Sequence, residues 1–236
     1  MNTLLTILNA KFIHSSLALR CLYTACRRQG VAVKTAEYTI NQHAYDILRR
    51  ISKFDADIIG FSCYIWNIEM TCHIISLIKQ VRPQTIVFVG GPEVSYTAEE
   101  ILRDHPDIDY VLQGEGEDMV PAFLQALARG EDGTAVPGVM GRVGGQIQGS
   151  DAYQEVAELD RLPFPYEGQD FSLLDHKIMY YESSRGCPFH CQYCLSGMND
   201  AVRFRSVPLV LQELEQFVAA GVHQVKFVDR TFNCNP

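Results

Sequence analysis

No stretch of this 236-residue chain approaches the roughly 20 consecutive apolar residues needed to cross a bilayer, so no segment reads as a membrane-spanning helix. Met1-Asn2-Thr3-Leu4 leads straight into a short strand pattern, with neither the basic start nor the cleavage site of a secretory leader. The expectation is therefore a reducing, cytoplasmic setting in which cysteines stay as thiols. Basic charge is also scarce. Twenty Lys and Arg face 28 Asp and Glu, and the net charge of −8 disfavours nucleic-acid binding, which rests on neutralising phosphates. Arg27-Arg28, Arg49-Arg50, Arg203 and Arg205 are expected on solvated helix faces or in loops, not along a phosphate track. Internal repeats and low-complexity tracts are missing. What remains is a globular composition, 47% hydrophobic and 20% charged, able to bury the core of one large or two modest domains.

Seven of the eight cysteines fall into two groups, with Cys234 apart. Cys21, Cys26, Cys63 and Cys72 sit in apolar helix or strand patterns, where a thiol is a small hydrophobe. Cys187, Cys191 and Cys194 form a Cys-x-x-x-Cys-x-x-Cys array within Arg185-Gly186-Cys187-Pro188-Phe189-His190-Cys191-Gln192-Tyr193-Cys194. The array follows a strand-like run, Ile178-Met179-Tyr180-Tyr181-Glu182-Ser183-Ser184. Thiolates are the usual protein ligands of iron–sulfur clusters, and a four-iron cubane ordinarily takes four of them. Three cysteines this close can hold three irons and leave the fourth open to a substrate or cofactor. The competing site is structural zinc, which wants four ligands, often as two Cys-x-x-Cys pairs. Only the Cys191–Cys194 pair exists, so His190 or Cys234 would have to complete such a site.

At these residues the chain resembles the radical S-adenosylmethionine (radical SAM) superfamily. The resemblance implies a 4Fe-4S cluster on Cys187, Cys191 and Cys194 whose open iron binds the amino and carboxylate groups of SAM. It implies that the array lies after the first strand of a βα barrel and that Tyr193, just before the third cysteine, lies beside the adenine. Asp229, at the end of the next strand pattern, has two readings: a contact to the methionine moiety of SAM, or a cap on its strand. Arg185 and Arg230 would balance cluster or carboxylate charge, although exposed loop arginines are the plainer reading.

Ahead of the array, strand and helix signals alternate. Leu4–Leu8, Val31–Tyr38, Ile58–Phe61, Thr85–Val89 and Tyr110–Leu112 read as strands. Helical patterns follow them, over Ser15 or Ser16 to Gln29, His43–Lys53, Ile68–Val81, Tyr96–Arg103, and from Glu117 to about Arg129. Five βα units with apolar strands imply a parallel sheet covered on both faces. The expected fold is therefore α/β, a doubly wound sheet over residues 1–132. The strand order is not readable from the sequence, and the flavodoxin-like order 2-1-3-4-5 is the one chosen, with a ligand crevice at the carboxyl ends of its strands. Residues 133–176 read as a hairpin (Val139–Val143 with Gln146–Gln148) and a proline-rich connector, Leu159–Tyr166. Residues 177–236 open a second βα series, the start of a radical SAM barrel. Ser206 is expected to cap its helix, with Pro208 in the first turn and Gly221 at the stop. Only two strands of this series stand before Pro236. An unpaired apolar edge is therefore expected at Val225–Val228, with little burial for Val225, Phe227 and Phe217.

Small or polar residues mark three strand ends in the first sheet: Gly60-Phe61-Ser62-Cys63, Gly90-Gly91-Pro92-Glu93 and Gly114-Glu115-Gly116-Glu117. Together they resemble the cobalamin-binding domain that precedes the barrel in one large class of radical SAM enzymes. The resemblance implies that Ser62, Gly90, Gly91, Gly114 and Glu115 line a bound cobalamin. A departure accompanies it. Other cobalamin domains carry Asp-x-His-x-x-Gly after the first strand, with the histidine on cobalt. Here Phe12 and Leu17 stand around His14 where Asp and Gly would be. No orienting partner for His14 is visible in the sequence, so a local hydrogen bond at the helix start is expected in place of a cobalt ligand.

The resemblance implies the N-terminal portion of a cobalamin-dependent radical SAM enzyme that cleaves SAM reductively for methyl transfer. It would be served by a low-potential electron donor and act on a small-molecule substrate that the sequence does not identify. The rival for the first sheet is a flavin site or no ligand at all, since fold does not fix function. The rival for the whole chain is a non-catalytic corrinoid- or metal-binding module.

Overall fold

The computed structural model describes residues 1–169, 171–174, 177–197 and 201–234. Five βα units open the chain: β1 (Thr3–Asn9), α1 (Leu17–Arg28), β2 (Lys34–Thr39), α2 (Ala44–Ser52), β3 (Ile58–Ser62), α3 (Ile68–Val81), β4 (Ile86–Gly90), α4 (Ala98–Asp104), β5 (Tyr110–Leu112) and α5 (Gly116–Ala128). Their strands pair in parallel in the order 2-1-3-4-5. Alternation along β1 explains the double covering. Leu4 and Leu8 face a core built with α2, α3 and α4, whereas Leu5 and Ile7 face one built with α1 and α5. Every residue of β1 is buried, as a central strand of a two-sided sheet requires. The chain reverses direction across the sheet at β1 and β3, and a ligand crevice forms beyond strand ends at such a point.

The hairpin does not stand apart. β6 (Val139–Val143) pairs antiparallel with β5, and β7 (Gln146–Gly149) pairs with β6, so the sheet grows to seven strands. Met140 packs into the first core, which gives β6 a reason to join the edge.

The second series contains β8 (Met179–Tyr181), β9 (Ser184–Arg185), β10 (Arg203–Phe204), α6 (Val207–Ala219) and β11 (Val225–Phe227). β8 and β11 pair in parallel, and β9 pairs antiparallel with β10, closing the base of a loop that carries the cysteine array. Ser206 stands at the N-cap of α6, but its side chain makes no capping bond; its backbone N–H instead donates to Asp160 Oδ1 at 2.7 Å.

The expectation of little burial fails for Phe217, which is 2% exposed. The connector folds back over α6, setting Phe164 and Tyr166 edge-on to Phe217 at 5.3 and 5.0 Å between ring centroids, with Tyr181 beneath. Aromatic burial from the connector takes the place of further strands. Phe227, by contrast, stays 36% exposed. The second series also docks on the first sheet. Ile178 N–H donates to Ile13 O, Ser15 Oγ donates to Ile178 O, and the Arg20 guanidinium lies over the Tyr166 ring at 5.0 Å.

Candidate functional site: a cleft shared by the sheet edge and the cysteine strand

A cleft of about 960 Å³ opens at the carboxyl ends of β1, β3, β4 and β5, near the top of the range of about 300–1,000 Å³ usual for small-molecule sites. Ser62, Gly90, Gly91, Gly114 and Glu115 all line it. Its opposite wall is Tyr180, Glu182, Ser184, Arg185 and Gly186, which lead into the cysteine array, with Leu195 and Ser196 just beyond it.

The rim loops are tied together by side chains that the sequence did not single out. Asn67, 1% exposed, donates to Leu8 O and Ser62 O and accepts from Tyr64 N–H, joining the ends of β1 and β3. Ser95 donates to Gly91 O at 2.8 Å and accepts from Gly114 N–H at 3.2 Å, joining the loops after β4 and β5. Glu37 Oε2 accepts from Asn9 Nδ2 and from the Ser16 N–H at the start of α1. Asn before a helix and Ser near strand ends are common enough to carry no signal by themselves.

Gly91 has a structural reason of its own. Its φ is +109°, and a Cβ there would stand 2.6 Å from Cys63 O. A Gly91→Val change is therefore expected to cost about 1–3 kcal/mol before any ligand is present. Urea denaturation of the ligand-free protein checks this, and an unchanged midpoint would contradict it.

His14 lines the cleft, and the partner of its ring is distant rather than local. Nδ1 shares a 2.6 Å hydrogen bond with Tyr180 Oη, 166 residues on. The local bond expected from the sequence is made by the backbone, His14 N–H donating to Lys11 O at 3.2 Å and Asn9 Nδ2 to His14 O at 3.3 Å, while the ring is held by the second series.

Glu115 lines the cleft with both oxygens engaged. Oε2 accepts from Arg203 Nη1 (2.9 Å) and Val156 N–H (2.7 Å) and lies 3.0 Å from Arg185 Nη1; Oε1 accepts from Arg203 Nη2 at 2.6 Å. Arg185 also donates from Nε to Glu182 (2.7 Å) and from Nη2 to Glu117 (2.5 Å). The expectation of solvated arginines is thus overturned for Arg185, Arg203 and Arg205. Arg185 and Arg203 are gripped by carboxylates across the interface, and Arg205 pairs in the interior with Glu213, which also accepts the Tyr181 O–H.

Burial works to raise the Glu115 pKa, but the Arg203 hydrogen bond, the Arg185 charge and the Val156 N–H outweigh it and leave it lowered. Burial dominates at Glu182 and Glu213 and raises both. Because its folded pKa is depressed, Glu115 contributes stability that is complete above the ordinary Glu value of about 4.3 and is lost as pH falls through the folded value. Glu182 and Glu213 contribute in the opposite sense; Glu115→Gln leaves Glu213 as it is and removes only the smallest of the causes that raise Glu182. Urea midpoints across the acid range should therefore fall less steeply for Glu115→Gln than for wild type. Parallel curves would contradict this.

Asp229 sits at the end of β11 as an acceptor for the strand that launches the array. It takes the N–H and hydroxyl of Ser183 and of Ser184. Cys187 Sγ lies 3.4 Å from Thr231 Oγ1, and this contact, with the Phe189 N–H and the Arg230 charge, lowers its pKa towards the thiolate that metal binding needs. Gly186 turns the chain into the array at φ +96°, where a Cβ would stand 2.5 Å from Ala201 O. The Cys194 N–H donates to Cys191 O, closing a turn between those two residues. Cys187, Cys191 and Cys194 are free thiols, and Tyr193 is 93% exposed. Among the described residues no three His, Cys, Asp or Glu side chains gather as a single-ion metal site. Thiolates are the usual protein ligands of iron–sulfur clusters, so a donor set of three closely spaced cysteines is one that fits a cluster.

Comparison with known proteins gives this geometry a family. The B12 binding domain model matches residues 3–124, over half of the chain. An uncharacterized methyltransferase from Pyrococcus horikoshii is 29% identical over 199 residues, covering 80% of this chain and 43% of its own length. The cobalamin-dependent radical SAM methyltransferase TokK from Streptomyces tokunonensis is 29% identical over 197 residues, covering 77% of this chain and 28% of its own. Among solved structures, the cobalamin-dependent S-adenosylmethionine radical enzyme OxsB, with aqua-cobalamin and S-adenosylmethionine bound, superposes with a TM-score of 0.78 at 20% identity. That superposition covers 98% of this chain and 34% of OxsB, and it is a likeness of fold. The chain spans less than half the length of these relatives. With that match over residues 3–124, the chain belongs to the B12 binding domain family, and the cleft of that domain is walled on its other side by the strand that leads into the cysteine array.

Proposed function

We propose that this chain binds cobalamin in the cleft and a four-iron cluster on Cys187, Cys191 and Cys194, as part of an enzyme that transfers a methyl group with S-adenosylmethionine. One observation carries the reading: residues on both sides of the cysteine array line the same cleft as the strand ends of the B12 binding domain. When bound, the cluster would supply the electron that cleaves S-adenosylmethionine, and cobalamin would supply the methyl group.

The protein's part is to hold and enclose. Asn67, Ser95 and Glu37 fix the rim loops, so a ligand meets a wall whose shape is set beforehand. Asp229 fixes the strand before the array, which accounts for its carboxylate without a ligand. Tyr180 and Glu182 line the cleft opposite the sheet and would cover that side of a bound ligand. A low-potential electron donor and a small-molecule substrate are the partners this chemistry requires.

Anaerobic reconstitution with iron and sulfide, followed by absorption and electron paramagnetic resonance (EPR) spectra, tests the reading. A four-iron signal that S-adenosylmethionine perturbs is expected. Stoichiometric zinc in place of iron, or a signal indifferent to S-adenosylmethionine, would overturn it.

A further inference from the structure

The cysteine array lies between β9 and β10 in the chain, and this two-stranded ribbon is its base. Arg185 and Arg203 are paired directly across that ribbon. Like charges set opposite each other on neighbouring strands repel, and a ribbon of two residues per strand has little else to hold it closed. Both guanidiniums nevertheless turn to one carboxylate. Glu115 takes Arg203 through both of its oxygens and Arg185 through Oε2. The three side chains are 12–13% exposed, so water screens the contact weakly. Glu115 itself is held from the other side by the Val156 N–H and by its place at the N-cap of α5.

We propose that Glu115 is a positioning residue: a clasp on the cleft rim that closes the base of the cysteine loop by bridging Arg185 and Arg203. Its oxygens are spent on the loop and not on a ligand in the cleft. Arg185 extends the clasp to Glu117 and Glu182, using all three nitrogens of its fork, which a lysine would not reproduce. The orientation in which the array leaves β9 is thereby set by the same loop that ends β5 in the cofactor cleft. As regards the metal, the inference rests on the proposed cluster; the closing of the ribbon does not.

The test uses the whole chain as wild type, as Glu115→Gln, and as Glu115→Gln combined with Arg203→Gln. Hydrogen exchange at β9 and β10 reads the ribbon without any metal. Iron retained after reconstitution and the shape of the EPR signal read the loop. Hydroxocobalamin titration reads the cleft. Glu115→Gln should lose protection at β9 and β10 and retain several-fold less iron, a loss larger than any accompanying loss of cobalamin affinity. The double variant no longer sets two cations together. It should regain thermal stability without regaining the wild-type EPR shape, a split that a purely structural role would not produce. The proposal is overturned if Glu115→Gln keeps the ribbon protected, or if it loses cobalamin while holding iron as wild type does. Wild type that holds no iron would count against the proposed function, while ribbon protection in the single variant still decides the clasp.

Discussion

Replacing Cys187, Cys191 or Cys194 with Ala is expected to bring iron retention after anaerobic reconstitution close to background, from each of the three positions alone. In the proposed function the array would supply three of the four positions of a cubane, and a variant with two would leave half of the cluster without a protein ligand. The three side chains are not equal before metal arrives. Cys187 is drawn towards thiolate by Thr231, the Phe189 N–H and Arg230, whereas the turn closed by the Cys194 N–H links the other two. None of the three contributes to a core cluster, so folding should survive each change. Iron and sulfide assays on folded single variants decide it. A variant that keeps its full iron content would remove that cysteine from the ligand set.

Phe217→Ala is expected to cost about 3–5 kcal/mol, the usual range for removing a buried aromatic side chain. Phe217 is the centre of a small aromatic core. Phe164, Tyr166, Phe171 and Tyr181 all meet it edge-on, and Tyr166 is further fixed by its hydroxyl, which donates to Tyr180 O and accepts from Tyr180 N–H. The loss should fall on the second series, since the two cores of the first sheet contain none of these rings. Hydrogen exchange should therefore show α6, β8 and β11 losing protection while β1, β3 and β4 keep theirs. A penalty below about 1 kcal/mol, or an equal loss in both regions, would mean that this cluster does not hold the second series in place.

The first sheet was legible because its signals are local. Tyr110–Leu112, Ile68–Val81 and Val139–Val143 are bounded in the structure as their residue patterns imply, and the other elements shift by a few residues at their ends. Apolar strands imply a parallel sheet covered on both faces but not its strand order; the flavodoxin-like order 2-1-3-4-5 is one choice among doubly wound sheets, and the structure has it. The edge position of the hairpin was not legible, because nothing in Val139–Val143 names β5 as its partner. The interface was hidden for a plainer reason. Glu117 and Arg185 are 68 residues apart, Glu115 and Arg203 88, and His14 and Tyr180 166, and such pairs leave no periodicity to read. An arginine before a cysteine array looks like an exposed loop residue until its carboxylates are brought to it. Phe217 was misjudged in the same way: the residues that bury it lie in a connector whose prolines announce only the absence of helix.

Hydrogen exchange of the whole chain with and without hydroxocobalamin tests the central claim most directly, that one cleft joins the B12 binding domain to the cysteine strand. The account predicts added protection in the loops at residues 62–67, 90–95 and 113–117, and, in the same experiment, in residues 180–186 on the opposite wall. Protection confined to the sheet loops, or no change in any of the four segments, would contradict it.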